Sequence, residues 1–270
     1  MPTAIAAFAG WNDAGSAATD AIEFLTDALD GDPAGSISGE SYCDLQVNRP
    51  IIRTSDDGER ELLWPDTDFY SATPEGGPEL VLISGVEPSF HWRSYAKDFF
   101  THLQRLNVTT LWLMGALLAD VPHTRPFKVQ ATTSSSALGE AYGLEESTYE
   151  GPAGIVSVLA HEAWQNHGIA SGSLWVPVPH YVAGTPSPKA ELALITKASE
   201  LLGLTGISTS DLADEARAWT EGVDSLAQSN AEIAGYVATL ENASDTLDSP
   251  ASSGEAIAKE FERYLRRYGS

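Results

Sequence analysis

Sulfur is scarce in this sequence of 270 residues, which carries one cysteine, Cys43, and two methionines. A single cysteine excludes an internal disulfide and any metal site built on paired thiolates, and it fits a reducing cytoplasm. Basic residues are scarce too: 15 Lys and Arg stand against 38 Asp and Glu, for a net charge of −23. Nucleic acid and anionic membrane both reward positive charge, so neither is an expected partner. The one dense basic cluster, Arg263, Arg266 and Arg267, is too small to reverse that balance. No basic residue precedes Arg49, which argues against a secretory signal. The longest apolar run, 111–119, is too short to cross a bilayer. What is present is 43% hydrophobic content and seven tryptophans, enough for a substantial core.

Hydrophobic patterning divides the chain. Strands are expected at 3–10, 41–47, 80–84, 109–118, 127–132 and 174–178. Segments 49–54 and 61–64 flank the polar turn "SDDGER" and read as a hairpin. Helices are expected at 16–29, 92–106, 155–168 and 188–202. Strand and helix alternate with short connections, so residues 1–205 read as an α/β domain with a mostly parallel sheet centred on 109–118. From 206 to 270 strand signals stop. Leu212, Ala216, Trp219, Val223, Leu226, Asn230, Ile233, Val237 and Leu240 follow one another in steps of 4, 3, 4, 3, 4, 3, 4 and 3. That is a heptad seam about 43 Å long with one polar member, Asn230. It reads either as an interaction arm or as an amphipathic helix lying on the α/β domain. The polar stretch 243–254 is the expected turn, and a last helix bearing Ile257, Phe261, Leu265 and Tyr268 is expected to pack back as the second arm of a hairpin.

Several stretches invite chemistry. "FAGWNDAGSAA" (8–18) places Gly10 and Gly15 with phosphate-loop spacing between a strand and a helix. The lysine of a Walker loop is absent, and Asp13 puts a carboxylate where phosphate would sit. Asp13 is therefore expected to supply the anion at the helix N-terminus itself. "HEAWQNH" (161–167) lacks the second histidine at the fifth position, so no metal is expected there, and no Gly-x-Ser-x-Gly elbow exists. Cys43 reads as a small core residue. "GALLADVPHTRP" (115–126) follows the central strand, where open α/β sheets place their sites. Two prolines bracket His123, Thr124 and Arg125, and an Asp120–Arg125 ion pair closing the loop is the simplest structural reading. His123 has no matched nucleophile in sequence, so a structural or binding role is favoured over catalysis.

"GWNDAGSAA", "GVEPSFHW", "LLADVPHTRP", "YEGPAGI" and "SLWVPVPHYVAGTPSPKAELALI" together resemble the successive motifs of the proteasome assembly chaperone 2 family, bacterial branch, over about residues 3–203. The resemblance implies a three-layer α/β sandwich of the phosphorylase/hydrolase-like kind. It also implies self-association into homo-oligomers, a trimer among the options, and a protein partner related to the proteasome. The chain ends Tyr268-Gly269-Ser270, with glycine where the family's ring-docking ending carries tyrosine, which argues against docking by that route. The expected protein is thus a non-enzymatic, chaperone-like, cytoplasmic protein without cofactor. Its candidate binding rim is Trp11, Asn12, Asp13, Glu87, Asp120, His123, Thr124 and Arg125. The alternative is a small-molecule binder or enzyme using that same rim.

Overall fold

The computed structural model describes residues 1–55 and 58–247. In chain order the elements are β1 (Thr3–Ala9), α1 (Ala17–Ala28), β2 (Asp32–Ile37), β3 (Ile51–Thr54), β4 (Arg60–Leu63), β5 (Thr67–Ala72), β6 (Leu80–Val86), α2 (Trp92–Arg105), β7 (Thr110–Ala119), β8 (Gln130–Thr133), α3 (Ser136–Tyr142), β9 (Glu145–Glu146), α4 (Ile155–His167), β10 (Ala170–Pro179), α5 (Pro188–Leu202), α6 (Ser210–Ser229) and α7 (Ala231–Leu247). Eight strands form one sheet in the order β2-β5-β6-β1-β7-β10-β8-β9, while β3 and β4 pair only with each other. The neighbours β6, β1, β7 and β10 run parallel and form the middle of the sheet. β5 and β8 pair antiparallel to them on either side, and β2 pairs antiparallel to β5 at the edge.

Alternation along the central strands builds two cores. In β1, Ile5 and Ala7 face a cluster with α1 and α5 residues, including Ile22, Leu25, Leu194 and Ile195. Ala4, Ala6 and Phe8 face the opposite cluster with Tyr95, Phe99 and Leu103 of α2 and Leu159 of α4. The same period of two splits β7, with Trp112 and Met114 on one side and Leu111 and Leu113 on the other. Helices on both faces of a mostly parallel sheet make a three-layer α/β sandwich, as expected.

Three expectations need correction. Residues 41–47 are not a strand. Tyr42 and Cys43 donate their backbone N–H groups to Gly39, and Val47 and Asn48 donate theirs to Asp44, so local turns satisfy the backbone while Tyr42 and Cys43 reach the interior. The edge position is taken instead by β2, which carries Pro33 and Gly35 and a register shift between them, and β5 fills the space up to β6. Second, the heptad segment is not one helix. Asn230 adopts φ −134°, ψ 107°, and α6 and α7 meet there. Asn230 is exposed and its side-chain oxygen accepts from the backbone N–H of Glu232 at 3.0 Å and of Ile233 at 3.4 Å. It is the N-cap of α7 rather than a polar residue inside a seam. Third, the turn expected at 243–254 does not begin where foreseen, because 243–247 continue α7. The expected last helix with Ile257, Phe261, Leu265 and Tyr268 lies outside the described residues.

α6 packs along α5, with Leu212 in the same cluster as Ile5 and Leu194, and Trp219 set edge-on to Phe127 at 6.2 Å between ring centres. Of the seam, Leu212, Ala216, Val223, Val237 and Leu240 are buried, and Trp219 and Ile233 are half-buried. Leu226, beside the bend, is 62% exposed.

Candidate functional site

The rim residues assemble into two groups. The first is built on the turn after β1. Asp13 forms a parallel bridge with Ala116 of β7, and Ala116 donates its N–H to Asn12 at 2.8 Å, which stitches the turn to the central strand. The Asp13 carboxylate accepts from the Ala18 N–H at 2.7 Å and from the Thr19 hydroxyl, so it caps α1 from outside the helix. Burial pushes its carboxyl up, and the bonds from Thr19 and Ala18 work against that shift. The position where a phosphate would sit is thus held by the chain's own anion, as expected. Gly15 sits at φ 62° with Thr185 and Ser187 against it; a Cβ there would lie 2.9 Å from the Ser187 Cβ. The glycine thus serves a tight turn packed on the 185–187 loop.

Asn12 and Glu87 form the second link of this group. Asn12 Nδ2 donates to Glu87 Oε1 at 2.7 Å, and the same oxygen accepts from the Ile155 N–H at 2.9 Å. One carboxylate therefore ties the ends of β1 and β6 to the N-terminus of α4, where its charge is favourable. Gly154 makes room for this link: a Cβ on it would come within 2.2 Å of Asn12 Oδ1. Trp11 of this turn projects outward, 59% exposed, while Asn12 and Asp13 beside it are buried.

The second group is the loop after β7. Asp120 and Arg125 take separate partners, which corrects the expected ion pair between them; within the loop Arg125 Nη1 donates to the Thr124 hydroxyl at 3.4 Å. Asp120 Oδ1 accepts from the Tyr236 hydroxyl at 2.7 Å and lies 3.1 Å from His180 Nδ1. Arg125 reaches α7 instead, with Nε and Nη2 each 2.8 Å from an oxygen of Asp245 and Nη1 3.1 Å from Glu241. Thr124 donates its hydroxyl to that same Glu241 oxygen. The loop has two strongly charged options, its own aspartate or the α7 carboxylates, and the planar guanidinium takes the bidentate one. The hydrogen bond to Asp245 raises the Arg125 pKa, and Arg125 in turn holds the Asp245 carboxyl below its ordinary value.

His123 is fully buried, with Tyr181 Oη 2.8 Å from Nδ1 and Asp224 Oδ1 of α6 3.0 Å from Nε2. Tyr181 Oη also accepts from the His123 backbone N–H at 2.8 Å. The geometry assigns the imidazole proton to Nε2, facing the carboxylate, and makes Nδ1 the acceptor for the tyrosine hydroxyl. Burial pushes the Tyr181 hydroxyl up to about 12. Lys189 donates its ammonium to the His123 carbonyl and lies 4.9 Å above the Phe127 ring; burial lowers its pKa. Both imidazole nitrogens are therefore engaged by protein. The rings of His180 and Tyr181 meet Tyr236 of α7 at 5.4 and 6.1 Å.

The arrangement is a clamp that holds α6 and α7 on the rim. Two clefts of about 480 and 290 Å³ open elsewhere, the larger between α2 and α4 along Trp92, Lys97 and His167, and no rim residue lines either. Sequence reasoning missed Tyr181, Asp224, Tyr236, Glu241 and Asp245. The spacing of Glu241 and Asp245, four apart on one helical face, was the signal that a cation should face them.

A mostly parallel three-layer α/β sandwich whose sheet rim is strapped by a helical hairpin defines the class. The chain belongs to the PAC2 family, whose model matches residues 7–227. A PAC2 family protein from Streptomyces avermitilis is 41% identical, with 88% of this chain and 100% of that one covered and a TM-score of 0.79. A proteasome-assembly chaperone homologue from Mycobacterium tuberculosis is 40% identical over 87% of this chain and 99% of that one, TM-score 0.76. An archaeal proteasome activator from Pyrococcus furiosus shares the fold at 19% identity, with 83% and 93% covered and a TM-score of 0.66. No functionally curated protein matches the chain. Among the described residues no helix is long and apolar enough to cross a membrane.

Proposed function

We propose that this chain is a non-enzymatic, chaperone-like protein that binds other proteins in the cytoplasm, proteasome subunits among them, and that it works as a homo-oligomer. In this reading the α/β domain, residues 1–205, meets the partner, and the arm from 206 onward governs self-association. The observation that carries it is the β3–β4 hairpin. Ile51, Ile52, Leu62 and Leu63 are all exposed, between 38 and 63%, and Trp64 at its base is 47% exposed. Ile51 pairs with Leu63 and Ile52 with Leu62, so apolar side chains project from both faces of a two-stranded ribbon. Such a ribbon is marginal in water by itself, and a bare apolar patch with open strand edges marks a surface built to be covered. In sequence, residues 49–61 carry three arginines against four carboxylates, and Arg53 pairs with Glu61 at 3.3 Å, so the ribbon offers a partner apolar surface rather than net positive charge. The similarity to the Mycobacterium tuberculosis proteasome-assembly chaperone homologue supports the choice of partner class.

The test is binding of the purified chain to purified proteasome α-subunits by titration. Binding that disappears in the Ile52→Ser/Leu62→Ser double variant, with its fold intact by circular dichroism, is the expected result. Absence of binding, or equal binding by the double variant, rejects the reading.

A further inference from the structure

We propose that α7 is an exchangeable arm: in a dimer, the α7 helix of one copy occupies the rim of the other, so that Tyr236, Glu241 and Asp245 of one chain meet Asp120, Thr124 and Arg125 of its partner. The proposal rests on the reading that the chain self-associates and says which element is traded.

Three observations carry it. The first is the hinge. α6 ends at Ser229 and α7 begins at Ala231, so one residue, Asn230, makes the whole turn. Short hinges are where element exchange between copies occurs most readily, because straightening them needs a change at few dihedrals. The second is phase. The apolar steps 4, 3, 4, 3, 4, 3, 4, 3 run through Asn230 without a slip, from Leu212 to Leu240. Two helices folded into a hairpin have no need to share one heptad phase. A single helix does, since only then do both halves present the same stripe. The sequence therefore encodes the straight form as well as the bent one. The third is exposure. The buried seam members lie away from the bend, whereas Leu226 is 62% exposed and Asn230 is exposed too. Those are the positions where two straightened helices would cross at a two-fold axis, and where Leu226 would find its symmetry mate.

The energetics are compatible. The contacts described between α7 and the rim are made by side chains: Tyr236 to Asp120 and to the rings of His180 and Tyr181, Glu241 to Thr124 and Arg125, Asp245 to Arg125. An α7 from a second copy reproduces each of them, so the exchange leaves these terms unchanged. Straightening loses the Asn230 cap on Glu232 and Ile233 and the contacts between α6 and α7 of one chain. It gains continuous helical hydrogen bonds across the hinge and the buried Leu226 seam.

Charge reversal in two different chains tests this. One full-length chain carries Glu241→Lys and Asp245→Lys, and the other carries Arg125→Glu. Alone, each repels its own α7 and that of an identical copy. Mixed in equal amounts, they match only by exchange: the lysine-bearing α7 meets Glu at 125, and the acidic α7 meets Arg125. Native mass spectrometry and hydrogen exchange over 231–247 are the readouts, and protection in β1 and β7 reports that both chains remain folded. The expected result is low α7 protection in each chain alone, with a one-to-one heterodimer and wild-type protection on mixing. A wild-type dimer accompanied by no heterodimer on mixing overturns the exchange while leaving self-association standing. Should either reversed chain fail to fold, the hinge decides: inserting Gly-Ser-Gly after Asn230 should convert wild type to monomer and Asn230→Leu should strengthen the dimer, and insensitivity of the oligomer to both overturns the proposal.

Discussion

Arg125 grips Asp245 with two parallel bonds of 2.8 Å, Nε to Oδ1 and Nη2 to Oδ2, across 120 positions of sequence. This pair, rather than the Asp120–Arg125 contact that proximity suggests, fixes the last described helix on the rim. Arg125→Gln should therefore raise hydrogen exchange throughout 231–247 and leave β1 and β7 protected. The same loosening should appear in wild type at low pH. The Asp245 carboxyl is held below its ordinary 3.8 by Arg125, so the clamp is fully present above that value and is lost as pH falls through the lowered one. Unchanged α7 protection in Arg125→Gln would show that the apolar contacts suffice.

The interface of α1 with α5 should respond in the opposite direction. Burial pushes the Glu191 carboxyl up to about 7, with Asp20, Glu215 and Glu23 adding repulsion. Asp20 is pushed to about 6 by burial, and by Asp13 and Glu23. A folded-state carboxyl that binds its proton more tightly than the unfolded one contributes stability at low pH and loses it as pH rises, here from the ordinary 4.5 of glutamate to about 7. Glu191→Gln should melt with wild type near pH 4.5 and above it by an increasing margin up to pH 7. A melting difference that does not vary with pH would place the strain elsewhere.

Glu87 should matter for stability rather than chemistry. Glu87→Ala strands Asn12 Nδ2 and the Ile155 N–H, a loss of about 1–3 kcal/mol by the usual cost of unsatisfied buried donors. Glu87→Gln keeps an acceptor and should cost less. Gly154→Ala should resemble Glu87→Ala, because its Cβ would lie 2.2 Å from Asn12 Oδ1 and force that side chain away. Chemical denaturation measures all three, and a neutral Gly154→Ala would mean that Asn12 is free to move.

The sequence was most informative where one physical signal dominated. β1, β7, α2, α4 and α5 follow directly from apolar periodicity, and the hairpin from its Asp-Gly turn. β2 was hidden because Pro33 and Gly35 are strand-breaking residues, tolerated here at a sheet edge with a bulge. Asn230 carried two compatible meanings, polar seam residue or helix cap, and the tertiary contacts of α7 chose the second. The loop after β7 was recognisable as a pre-ordered cluster. Its partners were not, since Tyr181, Asp224, Tyr236 and Asp245 stand 58 to 120 positions from the loop residues they bind. Only the folded sheet brings them together.

The account places the partner on the projecting hairpin and the α7 helix on the rim. The direct measurement is site-specific photo-crosslinking of the full chain to a purified proteasome α-subunit, with benzoylphenylalanine in place of Ile52 or, separately, of Trp11. Both side chains are exposed, at 58 and 59%, so accessibility does not bias the comparison. Crosslinks from position 52 and none from position 11 are predicted. Crosslinks from position 11 alone would return the binding surface to the rim and contradict the account.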